Sequence, residues 1–280
     1  MKLYLKYLIM QLKSDLEYRK SFVISVVSKT ASSIFAFISI FFLFDKFGSV
    51  DGYSFQDVLI CFVMAFLGFS LAECFFRSFD HFDRLISNGE FDRILVRPRN
   101  IILQVLGSEI EFDRIGRSMV AIVIFVILLV RNPMLLQIDK LVTLFFMIIC
   151  TIVIYSALFV MKAGITFFTI QGLEIMNIFT DGARDLTQYP LNIYHEWVRK
   201  FFTYILPLAF VNYYPLLYVI GRNENKLYMF TPLIALLFVI PCYFVWRIGL
   251  KRYKSIGSWY EWLYKGQTNG RKWNINSIHN

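Results

Sequence analysis

The chain has 280 residues, of which 57% are hydrophobic, 18% aromatic and 18% charged, and its formal net charge is +9. Soluble domains sit nearer roughly 45–50% apolar and about 25% charged, so 30 Phe against so little polar material excludes a soluble globule and any soluble enzyme. The positive charge alone would suit nucleic acid. Its distribution argues for a membrane instead, where excess Lys and Arg marks cytoplasmic loops.

In chain order, residues 1–20 are charged throughout and lead into no small-residue cleavage site, so they do not read as a signal peptide. Lys2, Lys6, Lys13 and Lys20 fall on one helical stripe, and Leu5, Leu8, Leu12 and Leu16 on a neighbouring one. That pattern suits an amphipathic helix in the headgroup region with its lysines towards anionic lipid. A plain orientation signal ahead of the first span accounts for the same residues.

Residues 21–280 read as a single transmembrane domain. Spanning takes roughly 20 apolar residues per helix, which places spans at about 22–44, 55–76, 118–136, 141–161 and 229–248. Lys29 interrupts the first, Glu73 sits near the end of the second, and Pro232, Pro241 and Arg247 lie in the last. The stretch 164–220 admits two arrangements. Either 164–200 is cytoplasmic and 201–220 spans, or 164–182 is a polar-faced fifth span and 190–220 re-enters the outer leaflet. Pro207, Asn212 and Pro215 favour the second, because broken helices at membrane depth line protein rather than lipid.

Basic residues orient this set. Residues 1–20, the loop 77–117 and the tail from 247 hold 5, 7 and 7 of the 29 Lys and Arg, with Lys162 expected in a turn on the same side. The positive-inside rule therefore puts both termini, the 77–117 loop and the 249–280 tail in the cytoplasm. Cys61, Cys74, Cys150 and Cys242 lie in or beside apolar runs with no CxxC, and read as small buried residues rather than a metal or disulfide set. His81, His195 and His279 stand apart, and no GxxxxGK[ST] or GxGxxG occurs. No catalytic or metal constellation emerges, and any ATP driving transport is expected on another polypeptide.

The 80–99 segment, DHFDRLISNGEFDRILVRPR, alternates charge with Phe82, Leu85, Ile86, Phe91, Ile94 and Leu95. It predicts an amphipathic helix closed by Pro98, either a docking knob for a cytosolic partner or a helix resting on lipid. Glu73 and Arg77, four apart, are placed to pair. Lys29 and Glu174 are the intramembrane ions of note; charges at depth face a bundle interior or a water-filled cavity. With Asn177 they form a candidate substrate path, against the plainer reading in which Lys29 snorkels and Glu174 lies near an interface.

Three stretches together resemble a known family. In ISNGEFDRILVRPRN the residues Gly89, Glu90, Asp92, Leu95, Arg97 and Pro98 match a Gly-Glu-hydrophobic-Asp pattern ending in Arg-Pro. In 189–215 the matches are Tyr189, Pro190, Trp197, Pro207, Ala209, Phe210 and Pro215; GLKRYKSIGS at 249–258 is the third. The pattern is similar to that of bacterial ABC transporter permeases of the type-2, exporter class.

That resemblance implies an all-α integral membrane protein with six transmembrane helices, an N-terminal interfacial helix, a cytoplasmic coupling helix and an external re-entrant element. It implies a permease subunit of an ATP-driven exporter in the bacterial cytoplasmic membrane, with no cofactor on this chain and ATP and Mg on a cytosolic ABC ATPase dimer. A second permease subunit, identical or paralogous, and membrane lipids complete the partners; nucleic acid is not among them. Arg84, Gly89, Glu90, Asp92, Arg93, Leu95, Arg97 and Pro98 would contact the ATPase, and Pro190, Trp197, Pro207, Asn212 and Pro215 would shape the re-entrant gate. The family carries small toxic compounds, peptides and lipids, and no residue selects among them. The rival readings are a passive or structural membrane subunit without an ATPase, and a lipid-modifying enzyme, for which no cluster of His, Asp or Cys is found.

Overall fold

The computed structural model describes residues 2–169 and 173–253. Among these it contains helices and no strand. Helix α1 (Lys2–Glu17) runs into α2 (Arg19–Phe47). After a tight loop comes α3 (Phe55–Asp80), begun by a capping box in which Ser54 and Asp57 exchange side-chain-to-backbone hydrogen bonds, satisfying two orphan amides of the first turn. Three short helices follow, α4 (Phe82–Ser87), α5 (Glu90–Leu95) and α6 (Ile101–Leu106). Helices α7 (Ile115–Arg131) and α8 (Ile138–Thr166) come next, then α9 over 173–187, continuous through a π turn at Ile178–Gly182. Helices α10 (Glu196–Tyr204) and α11 (Leu208–Val219) meet at 85°, and α12 (Lys226–Arg252) closes the described chain.

Helices α2, α3, α8 and α12 are long and apolar enough to cross a membrane. Helix α7, with 17 residues, is apolar but shorter. Helix α3 forms the axis of the bundle: 89% of its apolar window is buried, against 17% for α2. It packs against α7 on one side and α8 on the other, and α8 in turn carries α12. Gly164 is the contact point of that last pair, since a Cβ there would lie 2.7 Å from the Trp246 backbone nitrogen. The helices approach to backbone contact because that side chain is missing.

Two expectations need correction. The 164–182 segment is not one helix: α8 continues through Thr166, and α9 starts at residue 173. Hydropathy favours a break at Lys162, but its ammonium is buried against Asp80 at 2.6 Å, so the charge does not force the chain out of the bundle. Lys162 accordingly lies within α8 rather than in a turn. The 80–99 segment is likewise not one helix. Gly89, at φ +69°, stands between α4 and α5, a left-handed conformation that glycine adopts without steric cost and that turns the chain back on itself.

Helix α1 presents a packed face and an exposed apolar one. Tyr4, Tyr7, Leu8, Gln11 and Asp15 are partly buried against the protein, while Leu5, Ile9, Leu12 and Leu16 are exposed. A Cβ on Gly107 would meet the Tyr7 ring, so α1 lies directly on the turn after α6. Leu8 therefore sits nearer the protein face than the Leu5–Leu12–Leu16 stripe.

Candidate functional site: a charged end with an anchored loop

Helix α1, the α4–α6 loop, the end of α8 and the start of α9 share one end of the bundle, here the basic end. The loops at 48–54, 132–137 and 188–225 share the other, the hairpin end. At the basic end, charged side chains from α2, α3, α7, α8 and the 109–114 segment meet. Glu73 of α3, almost fully buried, lies 2.5 Å from Arg114, 3.3 Å from Arg117 and 3.4 Å from Arg77. The Glu73–Arg77 pair expected from spacing is present, but inside this network rather than on a surface. Arg77 also pairs with Asp80. Lys162 of α8 donates to Asp80 Oδ1 at 2.6 Å and Asn177 Oδ1 at 2.8 Å, tying α3, α8 and α9 together. Buried charges persist only when paired and hydrogen-bonded, and these satisfy that condition across elements far apart in sequence.

Glu111 and Asp113 extend the array to α2. Lys29 reaches Asp113 at 2.5 Å and Glu111 at 3.6 Å, and Ser25 donates to Asp113. Burial pushes both carboxyls up, but Arg114, Arg77 and Lys29 around Glu111, and Lys29 with Ser25 at Asp113, outweigh it and hold both below the ordinary carboxylate values. Lys29 is therefore engaged in a structural ion pair. His81 Nδ1 lies 3.0 Å from Glu109, with Glu111 close by. This trio has the residue types of a metal site, yet Glu111 is already shared by Arg77, Arg114 and Lys29.

The α4–α6 loop packs through aromatic rings on residues at the ends of α8 and α12. Phe82 and Phe91 are buried edge to face at 4.9 Å, each within 5.5 Å of Phe167, and Phe82 lies 5.1 Å from Trp246 of α12. Tyr253 packs on Phe91 at 5.0 Å and donates to Asp92 Oδ1 at 2.9 Å. Gln104 Nε2 donates to the carbonyls of Ile94 and Arg99, holding the turn shut. The free side carries Arg84, Glu90, Arg93, Leu95, Arg97 and Pro98, all exposed, with Gly89 at the reversal. Asp92 thus faces inward to Tyr253, apart from the exposed set.

At the hairpin end Pro190 and Pro215 are buried, and Pro207 sits at the bend between α10 and α11. Asn212 interrupts α11 and donates to the Thr187 carbonyl at 2.8 Å; Trp197 is exposed. Asn192 donates to Asp51 at 3.0 Å and accepts from Arg199 at 2.8 Å. The Arg222 guanidinium stacks 3.7 Å above the Tyr53 ring. Of the three expected path residues, Asn177 is held by Lys162, Lys29 by Asp113, and Glu174 is exposed on α9. Asp80, Glu111, Arg114 and Gln104 complete the basic end and were not singled out from sequence, where Lys162 figured only as an orienting charge. The pairs Glu111–Arg114 and Arg77–Asp80, three apart, lay within reach of spacing; Lys162–Asp80 and Arg114–Glu73 are too distant along the chain for it.

Helices of membrane-crossing length around a buried axis define a polytopic all-α membrane protein. The chain also matches the model of the ABC-2 family transporter proteins over residues 31–257, and it belongs to that family. Membership makes it a multi-pass membrane transport component of an ABC transporter, a class that works with an ATPase partner. No curated protein and no solved structure matches the chain.

Proposed function

We propose that this chain is the permease subunit of an ATP-driven exporter, forming the substrate path and taking its drive from separate cytosolic ATPase subunits. The observation that carries the reading is the two-sided α4–α6 loop. Its inner face is packed on Phe167, Trp246 and Tyr253, while Arg84, Glu90, Arg93, Leu95, Arg97 and Pro98 are left free. A partner pushing on the free face moves the ends of α8 and α12 with it. The Asp80–Lys162–Asn177 junction passes the same motion to α9. Ligand and nucleotide then favour different arrangements of the bundle, which is the thermodynamic requirement for coupling.

In this reading six membrane passes are supplied by α2, α3, α7, α8, α9 and α12, both termini face the cytoplasm, and α10–α11 is the external re-entrant element. A second permease, identical or paralogous, completes the path, and ATP and Mg bind the partner. Replacing Arg93 or Arg97 by Glu is expected to weaken co-purification with the ATPase and lower its stimulation. Unchanged values for both would remove the docking assignment and favour a passive membrane subunit whose loop lies on lipid.

A further inference from the structure

We propose that the α9 face formed by Glu174, Ile178, Asp181 and Asp185 lines a water-filled conduit and selects cationic cargo. This rests on the permease reading and adds to it the charge class of the substrate. The depth of the face is fixed by cross-helix contacts. The Arg184 guanidinium stacks 4.9 Å from the Phe69 ring of α3, and the Thr187 carbonyl accepts from Cys61 at 3.4 Å and Asn212 at 2.8 Å. Phe69 stands roughly 16 Å from the basic end of α3 and roughly 21 Å from its other end at 1.5 Å per residue. Arg184 and its neighbours are thus near the middle of a hydrocarbon core about 30 Å thick.

The inner face of α9 is packed against α3 and α8, and the acids point elsewhere. Asp181 and Asp185 side chains are 47% and 62% exposed, and Ile178 on the same face is also exposed. Carboxylates facing hydrocarbon at this depth are strongly disfavoured; intramembrane acids face a bundle interior or a water-filled cavity. The packed side is already occupied, so what covers this face is polar.

Its charge is negative. Arg184 bridges Asp185 at 2.8 Å and Asp181 at 3.6 Å, so one cation stands among three carboxylates counting Glu174. The cations nearest on α3 and α7, Arg77 and Arg117, are held by Glu73. A second copy packed symmetrically here would set acid against acid, because a two-fold interface is self-complementary and like charges repel most in low dielectric. Two such faces across water, with the surplus running from Glu174 at the basic end to Asp185 at mid-depth, instead concentrate cations along the way.

The protein offers a clean test, because its four cysteines are all buried. Asp185→Cys and Ile178→Cys, each in native membranes, are treated with a membrane-impermeant thiosulfonate beside Val126→Cys on the exposed side of α7. Both α9 variants are expected to react well above the Val126→Cys rate; equal rates at both positions overturn the conduit. The purified chain is then titrated with tetraphenylphosphonium and with tetraphenylborate, near-isosteric ions of opposite charge. Asp181→Asn with Asp185→Asn is expected to weaken tetraphenylphosphonium binding about tenfold, or ~1.4 kcal/mol, while tetraphenylborate binding holds or strengthens. Unchanged tetraphenylphosphonium affinity overturns the charge selection. Neither measurement reads ATPase binding or stimulation, so their failure leaves the docking result standing, and the converse holds.

Discussion

The two ends of the bundle are fastened by different chemistry. At the basic end, Glu73, Asp80, Arg114 and Lys162 are buried ions gathered from α3, the turn before α7, and α8, and the α4–α6 loop begins two residues after Asp80. At the hairpin end the ties are neutral or exposed: a buried hydrogen bond from Asn212 to the Thr187 carbonyl, exposed ones from Asn192 to Asp51 and Arg199 to Asn192, and one guanidinium stacked on Tyr53. Buried charge networks fail all at once when a member is lost, because the remaining ions are stranded in low dielectric. Exposed polar ties exchange with water at little cost. Under the proposed function this is the division a pump requires: a stiff end to receive motion and a separable end to open.

Glu73→Ala breaks the comparison at its strong side. It leaves Arg114, Arg77 and Arg117 without their shared carboxylate, and is expected to lower stability by about 3–5 kcal/mol, read as a drop in the thermal midpoint of the purified protein. Gly164→Val strikes the neutral packing beside it. Its side chain would meet the Trp246 backbone, and forcing such contacts costs about 1–3 kcal/mol in the same assay; a midpoint equal to wild type would show that α8 and α12 separate freely.

Acid probes the charged end alone. Glu111 and Asp113 have folded-state pKa values below their ordinary 4.5 and 3.8. Their contribution is present in full above those values and is lost as pH falls below them through the folded pKa. The thermal midpoint is therefore expected to show no loss from these two groups between pH 7 and 5 and to fall below about pH 4.5. Lys29→Met should flatten that acid dependence. At the hairpin end, Arg199→Ala is expected to change stability by under about 0.5 kcal/mol. A loss comparable to that of Glu73→Ala would erase the distinction between the ends.

The sequence reached the parts of the fold that are written locally. Apolar runs at 22–44, 55–76, 141–161 and 229–248 mark the helices α2, α3, α8 and α12, and the Arg-Pro motif lies on the exposed side of the α4–α6 loop. Pro207 marked a segment that the structure bends by 85°. The inner wall of the basic end was not legible. Lys29 and Asp113 are 84 residues apart and Lys162 and Asp80 are 82 apart, far beyond any helical spacing rule.

What the sequence determined by itself is a membrane protein and its family, because hydropathy and motif are properties of short windows. What only the tertiary structure decided is which charges are structural and which are free. Lys29, suspected of lining a path, is neutralised by Asp113. Lys162, expected in a turn, lies inside α8. Asp181 and Asp185, unremarked in the sequence, stand with exposed side chains beside Arg184. A charge in a membrane is defined by its partner, and these partners are brought together only when the helices pack.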